Sequence, residues 1–347
     1  MSILRLAPFV LAFQSLLWIS ASSSAEVPES LQKWLGPQEW NRDVDKPVLS
    51  LGEAGEFDDT HLLDPEVVRQ DGNYLMWYCG SSGYAYDVAP TRERDERLYQ
   101  LGIATSDDGL AFTKLSLPRI AMAEPRRSFL TPTILKDSDG KLLKFQGKYW
   151  MWFCSATFGG GGRPHVVQAV TSEDGLNWSE PSEDLLTKAY CPAVIKDGDE
   201  LRMWFTAPGP YPWVLKHARS ADGLTWKVDE TPVLEKTQDW EHLVFNYPVV
   251  HKVDDGYLMW YTSYSTEDKY KVSIGFAVSE DGITWHKHPN NPVLRPNEAN
   301  EWESHYVSSG SVLRTSDDKF RLWYFSRKAP PFKNLYYAIG TASWDGP

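Results

Sequence analysis

The 347-residue sequence has only three cysteines, Cys79, Cys154 and Cys191. A small, odd number excludes a disulfide framework as the basis of the fold. Each lies in an apolar segment, so buried thiols are expected. Cys79 and Cys154 take the same place in two successive repeats, too far apart to bridge. Positive charge is also scarce, with 35 Lys and Arg against 47 Asp and Glu and a formal net charge of −12. That excludes a general nucleic-acid binder, whose affinity rests on cations neutralising phosphates. Past residue 19 there is no long uncharged apolar run, so no membrane span is expected in the mature chain.

The first residues differ from the rest. Arg5 precedes an apolar run from Leu6 to Ile19, and the small residues Ser20 to Ala25 follow. This order reads as a secretory signal peptide over 1–25, cleaved after Ala25. The remainder, 26–347, is then one secreted or periplasmic domain. The alternative is an N-terminal membrane anchor, against which the run is short and broken by Pro8, Gln14 and Ser15.

Aromatic residues are abundant: 16 Trp, 17 Tyr and 14 Phe. Many of them fall in a repeat, the feature that most directly fixes architecture. Its core is Met76-Trp77-Tyr78, Met151-Trp152-Phe153, Met203-Trp204-Phe205, Met259-Trp260-Tyr261 and Leu322-Trp323-Tyr324. Upstream of each stands a short β-branched segment, usually opened by proline at Pro65, Pro132, Pro192 or Pro248. A polar turn joins the two, which is a hairpin signal. Downstream comes a third strand ending in Ser106-Asp107-Asp108-Gly109, Ser172-Glu173-Asp174-Gly175, Ser220-Ala221-Asp222-Gly223 or Ser279-Glu280-Asp281-Gly282. An aromatic three residues later starts a fourth. Four antiparallel strands per repeat make a propeller blade, so the expected fold is an all-β, five-bladed β-propeller. The fifth repeat stops at Pro347 without a fourth strand. Residues 38–46 are expected to supply it and so complete blade five.

In such blades the long second-to-third loops and the connections between blades share one face, where binding residues concentrate. These loops carry Tyr84, Tyr86, the run Gly159 to Gly162, Tyr211, Trp213 and Phe332. The first strands open on the same face, and their leading residues form a funnel, the default site. It includes His61, Asp64, Tyr190, Asn246 and Tyr247. Asp58, Glu241 and Glu303 each stand seven residues before Pro65, Pro248 and Gly310. An acid recurring at one blade position commonly braces backbone. Their convergence on this face also makes Glu241 and Glu303 candidate catalytic acids, with Asp58 a candidate for substrate binding. A metal held by His61, His242 and His305 is not expected, because the repeat spreads them around the ring.

Five blades, an Asp-Pro in the first strand, and the segments Thr171-Ser172-Glu173-Asp174-Gly175-Leu176-Asn177-Trp178 and Val278-Ser279-Glu280-Asp281-Gly282-Ile283-Thr284-Trp285 resemble the propeller glycosidases of families 43, 32, 68, 62 and 117. The resemblance implies a glycoside hydrolase with three carboxylates, the first matching Asp64. Thr131 stands where the second is expected and Tyr190 where the third is. A missing acid is then sought in Glu241, Glu303 or Glu124, or in His165 or His305 as proton donor. The chain also resembles the family 130 glycoside phosphorylases, which use one acid and a basic pocket for phosphate. Arg126 and Arg127 are candidates for that pocket. Asp64, Glu241 and Glu303 thus stand as expected catalytic residues of a hydrolase acting on a polysaccharide or oligosaccharide. Asp58, His61, Arg126, Arg127, Tyr190, Trp213, Asn246, Tyr247 and His305 are the expected substrate contacts. No cofactor is called for, a monomer is expected, and a non-catalytic carbohydrate-binding propeller is the alternative.

Overall fold

A computed structural model describes residues 26–82, 98–115, 120, 127–158, 165–264, 271–316, 318–328 and 338–347. The expected sites Arg126 and Glu124, and the loop residues Tyr84, Tyr86, Gly159 to Gly162 and Phe332, lie outside them.

The described chain is all-β apart from one short helix, Glu29–Gln32, and brief 3-10 turns. Three separate four-stranded antiparallel sheets begin at His61–Gln70, Ser128–Ile134 and Tyr190–Asp197. A nine-stranded sheet contains two further meanders, beginning at Asn246–Val253 and Tyr306–Ser316. These two share a single parallel pair, Val272 with Tyr306. The first strands of successive groups lie against one another, and the first strand of the last group lies against that of the first.

The repeated tryptophan strand is the buried middle of each group. Trp77, Trp152, Trp204, Trp260 and Trp323 are all fully buried. Three of them tie neighbouring groups together: Trp152 Nε1 donates to the Gly223 carbonyl (2.9 Å), Trp204 to Gly282 (2.8 Å) and Trp323 to Gly109 (2.9 Å). The receiving glycines sit in the Ser-x-Asp-Gly turns at φ of 75° to 80°, a region glycine enters without strain. In each of these turns the serine hydroxyl accepts the glycine N–H and the aspartate accepts the amide beyond it.

The N-terminal segment does pair with the last strand. Asn41 and Arg42 lie opposite Ser343 and Ala342, and Leu49 and Ser50 opposite Ile339 and Ala338. Ahead of it, Trp34 packs edge-on against Phe320 (6.0 Å) and Trp344 (6.1 Å).

Candidate functional site

Each first strand is broken at the same place. The ladder slips between Leu63 and Glu66, Leu130 and Thr133, Tyr190 and Ala193, and Asn246 and Val249. The physical cause is the proline at each slip. It has no N–H for the ladder, and it keeps the preceding residue out of the right-handed helical region. The preceding residues take positive φ: Asp64 at 54°, Thr131 at 48°, Cys191 at 49° and Tyr247 at 51°. Such conformations are strained for residues with a Cβ and persist only where the surroundings enforce them. The fifth group has Ser309-Gly310 here. A Cβ on Gly310 would lie 2.5 Å from Pro65 Cγ, so glycine makes room for the first group's proline ring.

The bulges form a collar, stitched to one another at three of the junctions between groups. Asp64 Oδ2 accepts the Thr131 backbone N–H (3.0 Å), and Ser309 Oγ donates to the Tyr247 carbonyl (2.6 Å). The Tyr247 N–H meets the Cys191 thiol. Asp64 is buried, 4% exposed, and among the described residues its Oδ1 has no nitrogen or oxygen partner. Burial raises its carboxyl from 3.8 to about 7, opposed by the Thr131 N–H and the neighbouring Cys79 thiol. Cys79, Cys154 and Cys191 are free and buried, as their apolar contexts suggested. Burial pushes all three thiols up, and the Asp64 charge adds to it. Tyr190 and Tyr247 share a hydroxyl–hydroxyl bond of 2.8 Å. Burial holds both phenols un-ionised, and the Asp64 charge acts in the same direction. The structure therefore brings Asp64, Thr131, Tyr190 and Tyr247 together around one carboxyl that titrates near neutrality.

The three recurring acids are placed elsewhere. Asp58 accepts the Tyr78 hydroxyl (2.9 Å) and pairs with Lys114 (2.7 Å). Glu241 accepts the Tyr261 hydroxyl (2.7 Å), the amides of Thr237 and Gln238 (3.0 Å each), and pairs with Lys287 (2.6 Å). Glu303 accepts the Tyr324 hydroxyl (2.8 Å) and the Asn300 amide (2.7 Å), and pairs with Arg42 (2.7 Å). Each cation comes from its group's outermost strand, Thr113–Leu115, His286–Lys287 or Asn41–Arg42. Each acid is thus a brace between a middle-strand tyrosine and an outer-strand cation. The geometry gives Glu241 and Glu303 this role in place of that of an acid or base. Asp58, its carboxyl buried against Tyr78 and Lys114, is likewise a brace and not a substrate contact.

The remaining candidates separate in the same way. His61 is buried, with Nδ1 2.7 Å from Ser81 Oγ and its ring against Tyr99. His305 is buried and its backbone N–H reaches the Arg327 carbonyl (3.3 Å). Arg127 donates to Ser155 and to Asp184 Oδ1, the latter at 2.7 Å, so its charge is already matched. His165 packs on Tyr190 with ring centres 4.6 Å apart, and burial lowers it to about 4, leaving it neutral. Asn246 opens the fourth group's first strand, its Oδ1 buried without a partner among the described residues. Trp213 lies on the loop before Val214–Ser220, stacked on Tyr211. No cluster of His, Cys, Asp and Glu among the described residues suits a metal ion.

Beyond the collar, at the far end of the first strands, lies a cavity of about 520 Å³ lined by Pro132, Pro192, Pro248, Gly310, Glu66 and Lys136. Its central charges are satisfied: Lys136 pairs with Glu66 (2.7 Å) and donates to the Val67 carbonyl (2.8 Å) and Ser311 Oγ (2.9 Å).

Similarity to known proteins bears on this arrangement. The family model of the glycosyl hydrolases family 32 N-terminal domain matches residues 204–307. The uncharacterized protein MT1551 of Mycobacterium tuberculosis (strain CDC 1551 / Oshkosh) is 28% identical over 255 residues, 68% of this chain and 77% of its own. The beta-1,2-mannobiose phosphorylase of Thermoanaerobacter sp. (strain X514) is 22% identical over 267 residues, 72% of this chain and 81% of its own. Among solved structures, a glycoside hydrolase superposes with a TM-score of 0.68 at 20% identity, covering 92% of this chain and 96% of that one. The beta-1,2-mannobiose phosphorylase of Listeria innocua, in complex with beta-1,2-mannobiose, does so at 0.67 and 14%, covering 88% and 96%. The family 32 match and these solved structures agree, and the chain is similar to the propeller glycosidase superfamily that its repeats and its Asp-Pro strand resemble.

Proposed function

We propose that the protein is a carbohydrate-active enzyme that cleaves a glycosidic bond in the funnel of a five-bladed propeller, with Asp64 as general acid. One observation carries the reading. A single buried carboxyl, oriented by the Thr131 N–H and held at about 7, stands on the collar between Thr131 and the Tyr190–Tyr247 pair. A carboxyl poised near working pH is suited to giving a proton and regaining it. Asp64 protonates the bridging oxygen, the C1–O bond breaks, and an acceptor adds to the anomeric carbon. Tyr190 and Tyr247, both un-ionised, offer hydroxyls to the sugar. The domain spans 26–347 after removal of 1–25 on export, and it acts as a monomer on a polysaccharide or oligosaccharide.

With water as acceptor the enzyme is a hydrolase and needs a second carboxylate as base or nucleophile. A second reading takes inorganic phosphate as acceptor. Its favouring observation is that Glu241 and Glu303 are both neutralised by cations, which leaves Asp64 as the one candidate acid among the described residues. Phosphate is its own nucleophile, so one acid suffices. The likeness to two beta-1,2-mannobiose phosphorylases points the same way.

The test is product analysis on manno-oligosaccharides and a plant and microbial glycan panel, with and without phosphate. Free reducing sugar that is independent of phosphate establishes hydrolysis. Sugar 1-phosphate formed only with phosphate establishes phosphorolysis. Asp64→Asn abolishes either. No turnover of any glycan by the wild type rejects the enzyme reading.

A further inference from the structure

Outside the collar, one feature of the described surface has the form of a ligand platform. Among the described residues Tyr211 is the most exposed large side chain with apolar surface, at 60%. Its ring lies 5.7 Å from that of Trp213, the two planes only 15° apart. Stacked nearly in parallel, the Trp213 indole backs the Tyr211 phenol, whose ring stays exposed. The face is held in place from below. Trp213 Nε1 donates to the Gly209 carbonyl (3.0 Å), which fixes the indole and removes its polar edge from competition. The Trp213 backbone is laddered to the next group: its N–H reaches the Leu243 carbonyl (2.9 Å) and its carbonyl accepts the Phe245 N–H (3.2 Å). Phe245 leads directly into Asn246 and Tyr247, the funnel residues of that group. The platform is therefore continuous in backbone with the collar.

A rigid, exposed aromatic plane on an acidic protein suits a ligand with a flat apolar face and polar edges. The C–H face of a sugar ring has that form, and stacking leaves its hydroxyls in water. We propose that Tyr211 and Trp213 form an outer subsite that stacks a sugar unit of an oligosaccharide whose end lies at Asp64. This rests on the carbohydrate reading above and adds to it that the ligand is a chain longer than a disaccharide. Selectivity for length then resides in the loop between Glu200–Ala207 and Val214–Ser220, away from the reacting carboxyl.

The experiment uses the full mature chain carrying Asp64→Asn, which binds without turnover. Affinities for di- and hexasaccharides of β-1,2-linked mannose, and of a glycan panel, are measured by calorimetry. Tyr211→Ala and Trp213→Ala are each expected to weaken hexasaccharide binding on the order of tenfold, the scale of one aromatic stack. Disaccharide affinity should stay unchanged, and Tyr211→Phe should keep full affinity because it keeps the ring. Unchanged hexasaccharide binding in both alanine variants, or equal weakening for both chain lengths, overturns the subsite. Failure of every sugar to bind the parent protein overturns the carbohydrate reading and the subsite with it. A thermal melt of Tyr211→Ala matching the parent separates lost stacking from lost fold.

Discussion

At the residue scale the centre of interest is one carboxyl. Asp64 sits on a bulge where proline interrupts the ladder, and the Asp-Pro pair makes both its place and its companions legible in the sequence. Its conformation was not legible, because a positive φ on Asp64, Thr131, Cys191 and Tyr247 arises from packing between groups, not from local preference. The raised carboxyl has two consequences of definite sign. As a general acid Asp64 works protonated, so kcat/KM should fall as pH rises through about 7. A plateau extending to pH 9 would exclude it from that role. For folding, the native state holds a proton that the unfolded chain has released between pH 3.8 and about 7. Over that window each pH unit removes about 1.4 kcal/mol of stability through this group. Asp64→Asn has no such group. Its urea midpoint should therefore gain on the wild type between pH 4 and pH 8, and parallel curves would contradict the burial argument.

At the scale of the element, the recurrent feature is a brace of acid, tyrosine and cation. The sequence shows it once the columns are aligned. Middle strands reading Trp-Tyr, at Tyr78, Tyr261 and Tyr324, belong to the groups with Asp58, Glu241 and Glu303. Those reading Trp-Phe, at Phe153 and Phe205, belong to groups without that brace. The third-strand partner of each tyrosine is glycine: Gly102, Gly275 and Gly340. A Cβ there would come within 2.4 to 2.7 Å of the tyrosine ring. Opposite the two phenylalanines stand Gln168 and Lys216. The offset from proline marks the column of acids but not its partner, because the hydroxyl is contributed from a different strand. Lys287→Met leaves Glu241 buried without its cation and should cost about 3 kcal/mol in chemical denaturation. Lys227→Met, on the outer strand of the third group, should change stability by under about 0.5 kcal/mol. Glu241→Gln should lose stability and keep turnover. An intact fold with no activity would return Glu241 to the chemistry.

At the scale of the whole molecule, an early segment is joined to the last strand without a covalent bond. The segment from Asn41 to Ser50 pairs with the last strand, and Arg42 delivers the cation that pairs with Glu303 of the last group. Between the last group and the first, Trp323 reaches Gly109, and Arg321 donates to the Asp108 carbonyl (2.8 Å). A chain lacking residues 26–50 should leave the edge of Ala338–Trp344 open and Glu303 unpaired. It should then aggregate on heating at a markedly lower temperature, as measured by light scattering. Trp323→Phe, which deletes one hydrogen bond and keeps most of the packing, should cost about 1 kcal/mol. The collar reaches further than stability. Every group delivers one side chain to the collar, on backbone held by its neighbours and, in four of the five groups, by its own proline. What occupies a seat is a matter of a codon, not of architecture. Asp64 sits beside Thr131, Cys191, Tyr247 and Ser309 in equivalent places. A change of residue at one seat would then alter the chemistry offered there without altering the scaffold.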